Sequence, residues 1–160
     1  EETCSYAAIG GHLDVLKWLR ANGCPWNAWA CAGAALGGHL DVLKWLRTSE
    51  IEPCPWDRQT CVYAASYGHL DVLKWLRTND YPWWHEGACI TAAVNGDLEI
   101  LKWLHDNGCP WDDRTPSEAA NNGHLEVLKW SIQNGCPYDL DTLEIVGQDR
   151  RQIMEYLATL

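Results

Sequence analysis

The sequence predicts an all-α fold, a helical solenoid of stacked antiparallel helix pairs, and three observations carry that prediction. One segment recurs: Asp14-Val-Leu-Lys-Trp returns at Asp41 and Asp71, then as Glu99-Ile-Leu-Lys-Trp and Glu126-Val-Leu-Lys-Trp. A degenerate Gln152-Ile-Met-Glu-Tyr closes a series with intervals of 27, 30, 28, 27 and 26 residues. Each interval holds two stretches with helical apolar spacing. No alternating apolar run is bounded by hairpin turns, so nothing reads as a strand pair.

The second helix of each repeat begins at Gly-His-Leu (Gly11, Gly38, Gly68, Gly123) or at Gly96-Asp97-Leu98. On a helical wheel Trp18, Val15, Leu19, Leu16 and Leu13 cover roughly 220°, leaving Asp14, Lys17 and Arg20 a narrow polar arc. So wide an apolar face implies burial against several neighbours. Asn22-Gly23-Cys24-Pro25 is a stop, with Gly where a left-handed cap is expected and Pro soon after. The same stop recurs at Asn107-Gly108 and Asn134-Gly135. An aromatic follows (Trp26, Trp56, Trp83, Trp111 or Tyr138), and then, in four of five cases, an N-capping Asn27, Asp57, Asp112 or Asp139. Trp26 with Cys31, and Trp56 with Cys61, fit a hydrophobic staple.

The first helices carry paired alanines at Ala7-Ala8, Ala34-Ala35, Ala64-Ala65, Ala92-Ala93 and Ala119-Ala120, which let helices approach closely. In the fifth repeat Thr115-Pro116-Ser117-Glu118 reads as a capping box that starts the helix late. First helices are predicted at about 28–36, 58–67, 86–95 and 115–122. Second helices are predicted at about 12–22, 39–48, 69–79, 97–107 and 124–134. The whole chain, 1–160, reads as one array of six helix pairs, at about 1–24, 25–54, 55–81, 82–109, 110–136 and 137–160.

The chain of 160 residues has 12 basic and 22 acidic side chains, a net charge of -10. That balance argues against nucleic acid and anionic membranes as partners, where a basic face is the usual footprint. The excess acid lies in residues 80–160, with 5 basic against 14 acidic residues; residues 1–79 hold 7 and 8. The first residue is Glu1 and no signal peptide follows, so the chain is expected to be cut from a longer one.

The unit Ala-Ala-x-x-Gly-His-Leu-Asp-Val-Leu-Lys, with a second helix ending in Asn-Gly, resembles the ankyrin repeat. The resemblance covers both helices of all six units, more weakly in the last. The Cys-Pro-Trp form looks like a subclass common in proteins of large DNA viruses and protists. The usual ankyrin unit is longer, at about 33 residues. The shortfall falls where the family keeps its β-hairpin finger, so the fingers are expected as short loops. The resemblance implies a non-catalytic module, a scaffold or adaptor, that recognises other proteins, with first helices lining a concave surface.

The remaining chemistry reads as structural. Cys4, Cys31, Cys61 and Cys89 share a helix position; Cys24, Cys54, Cys109 and Cys136 share a loop position, where Tyr81 stands in the other copy. Neighbouring pairs are Cys-x6-Cys, without zinc spacing. Buried, reduced thiols are the reading, with an intracellular reducing compartment, cytoplasm or nucleus. His12, His39, His69 and His124 hold one repeated position and should bond backbone between repeats. His85 and His105 fall off the pattern and read as surface residues. Trp18, Trp45, Trp75, Trp103 and Trp130 read as core or as packing between repeats. No metal, cofactor or small-molecule substrate is expected.

The residues that fail to repeat form an i, i+4, i+8 stripe along the first helices. It runs Glu2/Tyr6/Gly10, Trp29/Gly33/Gly37, Gln59/Tyr63/Tyr67, Gly87/Thr91/Asn95, Arg114/Glu118/Asn122 and Leu140/Glu144/Gln148. A stripe free to vary reads as solvent-facing. Its candidate partner-binding residues are Tyr6, Trp29, Gln59, Tyr63, Tyr67, Thr91, Asn95, Arg114 and Glu118, for a protein or peptide with a basic flank. A structural subunit or rigid spacer in a larger assembly is the alternative. A large apolar patch on the outer face or at an array end would favour that alternative.

Overall fold

The computed structural model describes residues 2–49, 52–79, 81, 86–139 and 150–159. Among them are eleven α-helices and no strand: α1 (Glu2–Ile9), α2 (Leu13–Ala21), α3 (Ala28–Leu36), α4 (Leu40–Thr48), α5 (Arg58–Ser66), α6 (Leu70–Thr78), α7 (Glu86–Asn95), α8 (Leu98–Asp106), α9 (Arg114–Asn121), α10 (Leu125–Gln133) and α11 (Arg150–Leu157). These make five pairs and a last helix. The sixth pair's expected first helix, with Leu140, Glu144 and Gln148, lies outside the described residues, as do Trp83 and His85. No described helix is long and apolar enough to cross a membrane.

The chain divides into two compact units, Glu1–Trp83 and Trp84–Leu160. In the first, α1 packs on α3 and α3 on α5; in the second, α7 packs on α9. Within each pair the two helices pack on each other. The paired alanines sit at these seams, fully or almost fully buried, beside Leu16, Leu43, Leu73, Leu101 and Leu128.

Backbone bonds close both connections of a repeat. After α2, Cys24 N–H donates to the Leu19 carbonyl and Gly23 N–H to that of Arg20, both at 3.0 Å. Gly23 makes this possible at φ 77°, a conformation only Gly adopts freely. After α1, His12 N–H reaches the Ala7 carbonyl at 2.9 Å through Gly11 at φ 71°. Such tight closures leave no slack for a hairpin finger.

The next helix is started by a side chain. Asn27 accepts from Trp29 N–H at 3.0 Å and Asp57 from Gln59 N–H at 2.9 Å. In the fifth repeat Asp112 does the same for Arg114 N–H at 3.1 Å. This corrects the capping box: Thr115 lies buried within the first turn, and its N–H donates to the Asp112 carbonyl at 3.0 Å. The repeat's own cap, three residues earlier, sets the helix start.

Two side-chain devices tie successive repeats. Nε2 of His39, His69 and His124 donates to the carbonyls of Ile9, Leu36 and Val94 at 3.0, 3.0 and 2.9 Å. Asp97, in the fourth copy's place, instead caps α8 through Ile100 N–H at 3.0 Å. The other device is aromatic. Trp26, Trp56 and Trp111 meet Trp45, Trp75 and Trp130 edge-on, with centroids 5.6, 6.0 and 5.7 Å apart. The Arg20 and Arg47 guanidinium groups lie 4.2 and 3.9 Å from the centroids of Trp26 and Trp56. His105 corrects the surface reading. It occupies the arginine position and stacks on Trp111 at 4.0 Å.

Loop-position residues form a third set of bonds. Cys54 Sγ and Cys136 Sγ each donate to a cap-residue carbonyl, Asn27 and Asp112, at 3.2 Å. The Tyr81 hydroxyl donates to the equivalent carbonyl of Asp57. Cys and Tyr interchange here because both supply a donor at the same place.

Candidate functional site

The variable stripe of the first unit runs along α1, α3 and α5. The Asn27 cap holds Trp29 in the first turn of α3, and the Asp57 cap holds Gln59 in that of α5, with Tyr63 and Tyr67 on successive turns. Tyr6 is 71% exposed, Trp29 55% and Tyr67 58%. Tyr63 and Gln59 are half-buried. The Tyr63 ring leans on Trp29, with centroids 6.2 Å apart and planes at 37°. Tyr6 and Trp29 line a cavity of about 490 Å³ together with Glu2, Ser5, Ile9 and Asn27. The lining brings an aromatic pair, an aliphatic wall and one carboxylate together, with no Lys or Arg among the described residues that line it.

Two positions of the stripe do not face solvent. Gly33 is buried and Gly37 half-buried. A Cβ on Gly33 would lie 2.9 Å from Ile9 Cγ1 and 3.0 Å from the Ser5 carbonyl oxygen. Gly there lets α1 close on α3, so variation between repeats marks a close approach at these points.

In the second unit Thr91 is half-buried, and its hydroxyl bonds back to the Gly87 carbonyl at 2.6 Å. Asn95 is exposed at the end of α7. Arg114 is exposed but held by Asp112, with Nη2 to Oδ2 at 2.7 Å and Nε to Oδ2 at 2.9 Å. Glu118 is half-buried, with Asn122 Nδ2 at 3.5 Å from its carboxylate. Thr91, Arg114 and Glu118 are engaged within their own helices or caps, unlike the open aromatics of the first unit.

No group of three or more His, Cys, Asp or Glu among the described residues could hold a metal ion. The thiols are poor nucleophiles where they titrate abnormally. Burial, then the neighbouring Asp112 charge, pushes Cys136 up to about 12. Burial and the Cys24 thiol, 3.4 Å away, raise Cys4.

A family model of ankyrin repeats in many copies matches residues 4–47 and 89–130. The chain belongs to the ankyrin repeat family. Ankyrin repeats are in general protein–protein interaction modules, and the two matched stretches contain four of the five alanine pairs, His12, His39 and His124, and Leu16, Leu43, Leu101 and Leu128 of the core described above. No curated protein matches the chain.

Three features escaped the reading of the ankyrin stripe. Ser5, Ile9 and Asn27 line the cavity although none lies on it; Ser5 and Ile9 follow Glu2 at helical spacing, which was the available signal. Trp18, expected in the core, is 64% exposed, and Val15 beside it 47%. His105 follows Leu104 as Arg20 follows Leu19 and Arg47 follows Leu46, so its position rather than its residue type places it against the loop tryptophan.

Proposed function

We propose that the chain is a non-catalytic ankyrin interaction module of the short Cys-Pro-Trp kind. It holds an extended protein segment along the α1, α3 and α5 face, taken as the array's concave side. Tyr6, Trp29, Tyr63 and Tyr67 are its anchors. The observation that carries this reading is the exposure of three large aromatics, on α1, on α3 and at the end of α5, beside the buried paired alanines of those helices. Tyr and Trp bury large area at low rotamer cost, which suits them to anchor a partner. The acid excess of residues 80–160 and the Glu2 carboxylate favour a partner with a basic flank and faster encounter at low salt.

The test uses peptides selected from a displayed random library against the intact chain. Tyr6→Ser with Tyr67→Ser is the variant of choice, because both rings are open to solvent while Tyr63 also packs on Trp29. The expected result is an unchanged thermal midpoint with affinity weakened by more than ~2 kcal/mol. Full affinity in the double variant sinks the proposal. A second reading, an array working through end-to-end packing, is favoured by the exposed Val15 and Trp18 on α2.

A further inference from the structure

The cavity of about 490 Å³ between α1 and α3 has walls of three chemical kinds: the rings of Tyr6 and Trp29, the aliphatic Ile9 and the Glu2 carboxylate. Trp29 is braced there. Asn27 accepts its backbone N–H at 3.0 Å, and the Tyr63 ring leans on the indole with centroids 6.2 Å apart. No Lys or Arg lines the cavity, and none of the ion pairs among the described residues takes up Glu2, whereas Glu52, Asp112, Glu126 and Glu155 each pair with an Arg or Lys. A carboxylate without a counter-charge, beside two aromatic rings and an aliphatic wall, suits a cation carried on an apolar stem. The chain's own packing indicates which cation. The guanidinium carbons of Arg20 and Arg47 lie 4.2 and 3.9 Å from the centroids of Trp26 and Trp56. The ammonium groups of Lys102 and Lys129 stay 6.0 and 5.7 Å from the rings of Trp130 and Tyr156. A guanidinium is planar and weakly hydrated, so it can stack on a ring and still donate in its own plane to a carboxylate; an ammonium holds its water more tightly.

We propose that this cavity is a subsite for one arginine side chain of the bound segment. The stem lies along Ile9, the guanidinium stacks on Trp29 with Tyr6 as the opposite wall, and its N–H groups donate to the Glu2 carboxylate. The subsite rests on the reading of the α1, α3 and α5 face as the partner-binding face, and it narrows the preference for a basic flank to one residue type at one place. Because Glu2 is exposed, its share of the binding is screened by salt, while the ring contact persists.

The test titrates N-acetylarginine amide into the intact chain and follows the Trp29 indole N–H by NMR, the resonance being assigned by its loss in Trp29→Leu. The expected result is a saturable shift with arginine. Binding should be about 10-fold weaker for the uncharged citrulline amide and for the leucine amide, and about 3-fold weaker for the lysine amide. Glu2→Gln should weaken arginine about 3-fold at low salt, with the loss shrinking at ~0.5 M salt and the thermal midpoint unchanged. No saturable shift with arginine, or equal binding of arginine and any of the other three amides, overturns the subsite. Library-selected peptides separate the subsite from the face. Peptides that need Tyr67, which lies outside the cavity lining, yet keep full affinity when every arginine becomes citrulline remove the subsite and leave the face reading standing. Full affinity on the Tyr6→Ser, Tyr67→Ser chain removes the face reading and the subsite with it.

Discussion

Replacing Gly37 by Ala probes how α1 is seated on α3. Gly37 has φ -80° and ψ -6°, ordinary helical values, so the change carries no backbone penalty. Removing a glycine from such a position is by itself worth up to ~1 kcal/mol of stability. The added methyl, however, would lie 2.3 Å from the Ile9 carbonyl oxygen and 2.5 Å from His39 Cδ2. The oxygen is backbone and is the acceptor that His39 Nε2 holds at 3.0 Å. Restoring normal separation means moving α1 or the histidine by about 1 Å. Overpacking of that kind costs ~1–3 kcal/mol, and a lost hydrogen bond about 1 kcal/mol more. The balance is a destabilisation of about 2 kcal/mol, or a midpoint lower by roughly 4–8 °C in thermal denaturation. Tyr67→Ala, at the aligned position of the next repeat, is the control, since a Cβ is already accommodated there; it should be nearly silent. A Gly37→Ala chain as stable as the original would show that the α1–α3 seam yields freely, and the argument from close approach would fail.

Ser131 is fully buried where Leu46, Leu76 and Leu104 stand, and its hydroxyl donates only to the Leu128 carbonyl at 2.9 Å. Ser131→Leu should stabilise by ~1 kcal/mol in urea titration; a loss instead would mean the site has no room for the larger side chain. The buried thiols set a pH dependence. Cys136 is raised to about 12 from 9.0, so above about pH 9 the unfolded chain releases a proton that the folded chain keeps. Stability should therefore be level between about pH 7 and 8 and fall as pH climbs through the range from 9.0 towards 12. A midpoint that stays flat to about pH 11 would contradict the burial argument. Chelator and reductant should each leave the midpoint within about 2 °C, because the core is Leu, Ala, Val and Trp; a fall of more than ~10 °C would expose a structural metal or disulfide.

Helix positions were legible because each signal occurs several times. Asn-Gly before Cys-Pro, and Gly before His-Leu, mark paired backbone bonds that recur in nearly every repeat. Agreement among copies also outranks local pattern. Thr115-Pro116-Ser117-Glu118 is a good capping box, yet Asp112 starts α9 as Asn27 and Asp57 start α3 and α5. The candidate site was only partly legible. Variation among repeats does not always mean exposure: Gly33 and Gly37 vary because two helices approach closely there. Trp18 shows the complementary limit: its sequence context equals that of Trp45, and only the neighbour that covers a ring distinguishes core from surface.

The junctions suggest a physical rule for separating structural from functional positions within this one chain. At structural positions the residue type changes while the bond persists. A cap-residue carbonyl takes a donor from Cys54, Tyr81 or Cys136; a loop tryptophan is backed by Arg20, Arg47 or His105; a helix is capped by Asn27, Asp57 or Asp112. The position just before the paired alanines behaves otherwise. Tyr6, Gly33, Tyr63, Thr91 and Glu118 share neither a donor, a charge nor a volume, and the contacts they make differ in kind. No common bond constrains them, so the array's stability does not dictate their identity. Gly33 is the exception that close approach explains. The remaining open aromatics, Tyr6, Trp29 and Tyr67, are the positions where the demands of the proposed partner rather than those of the fold would select the side chain.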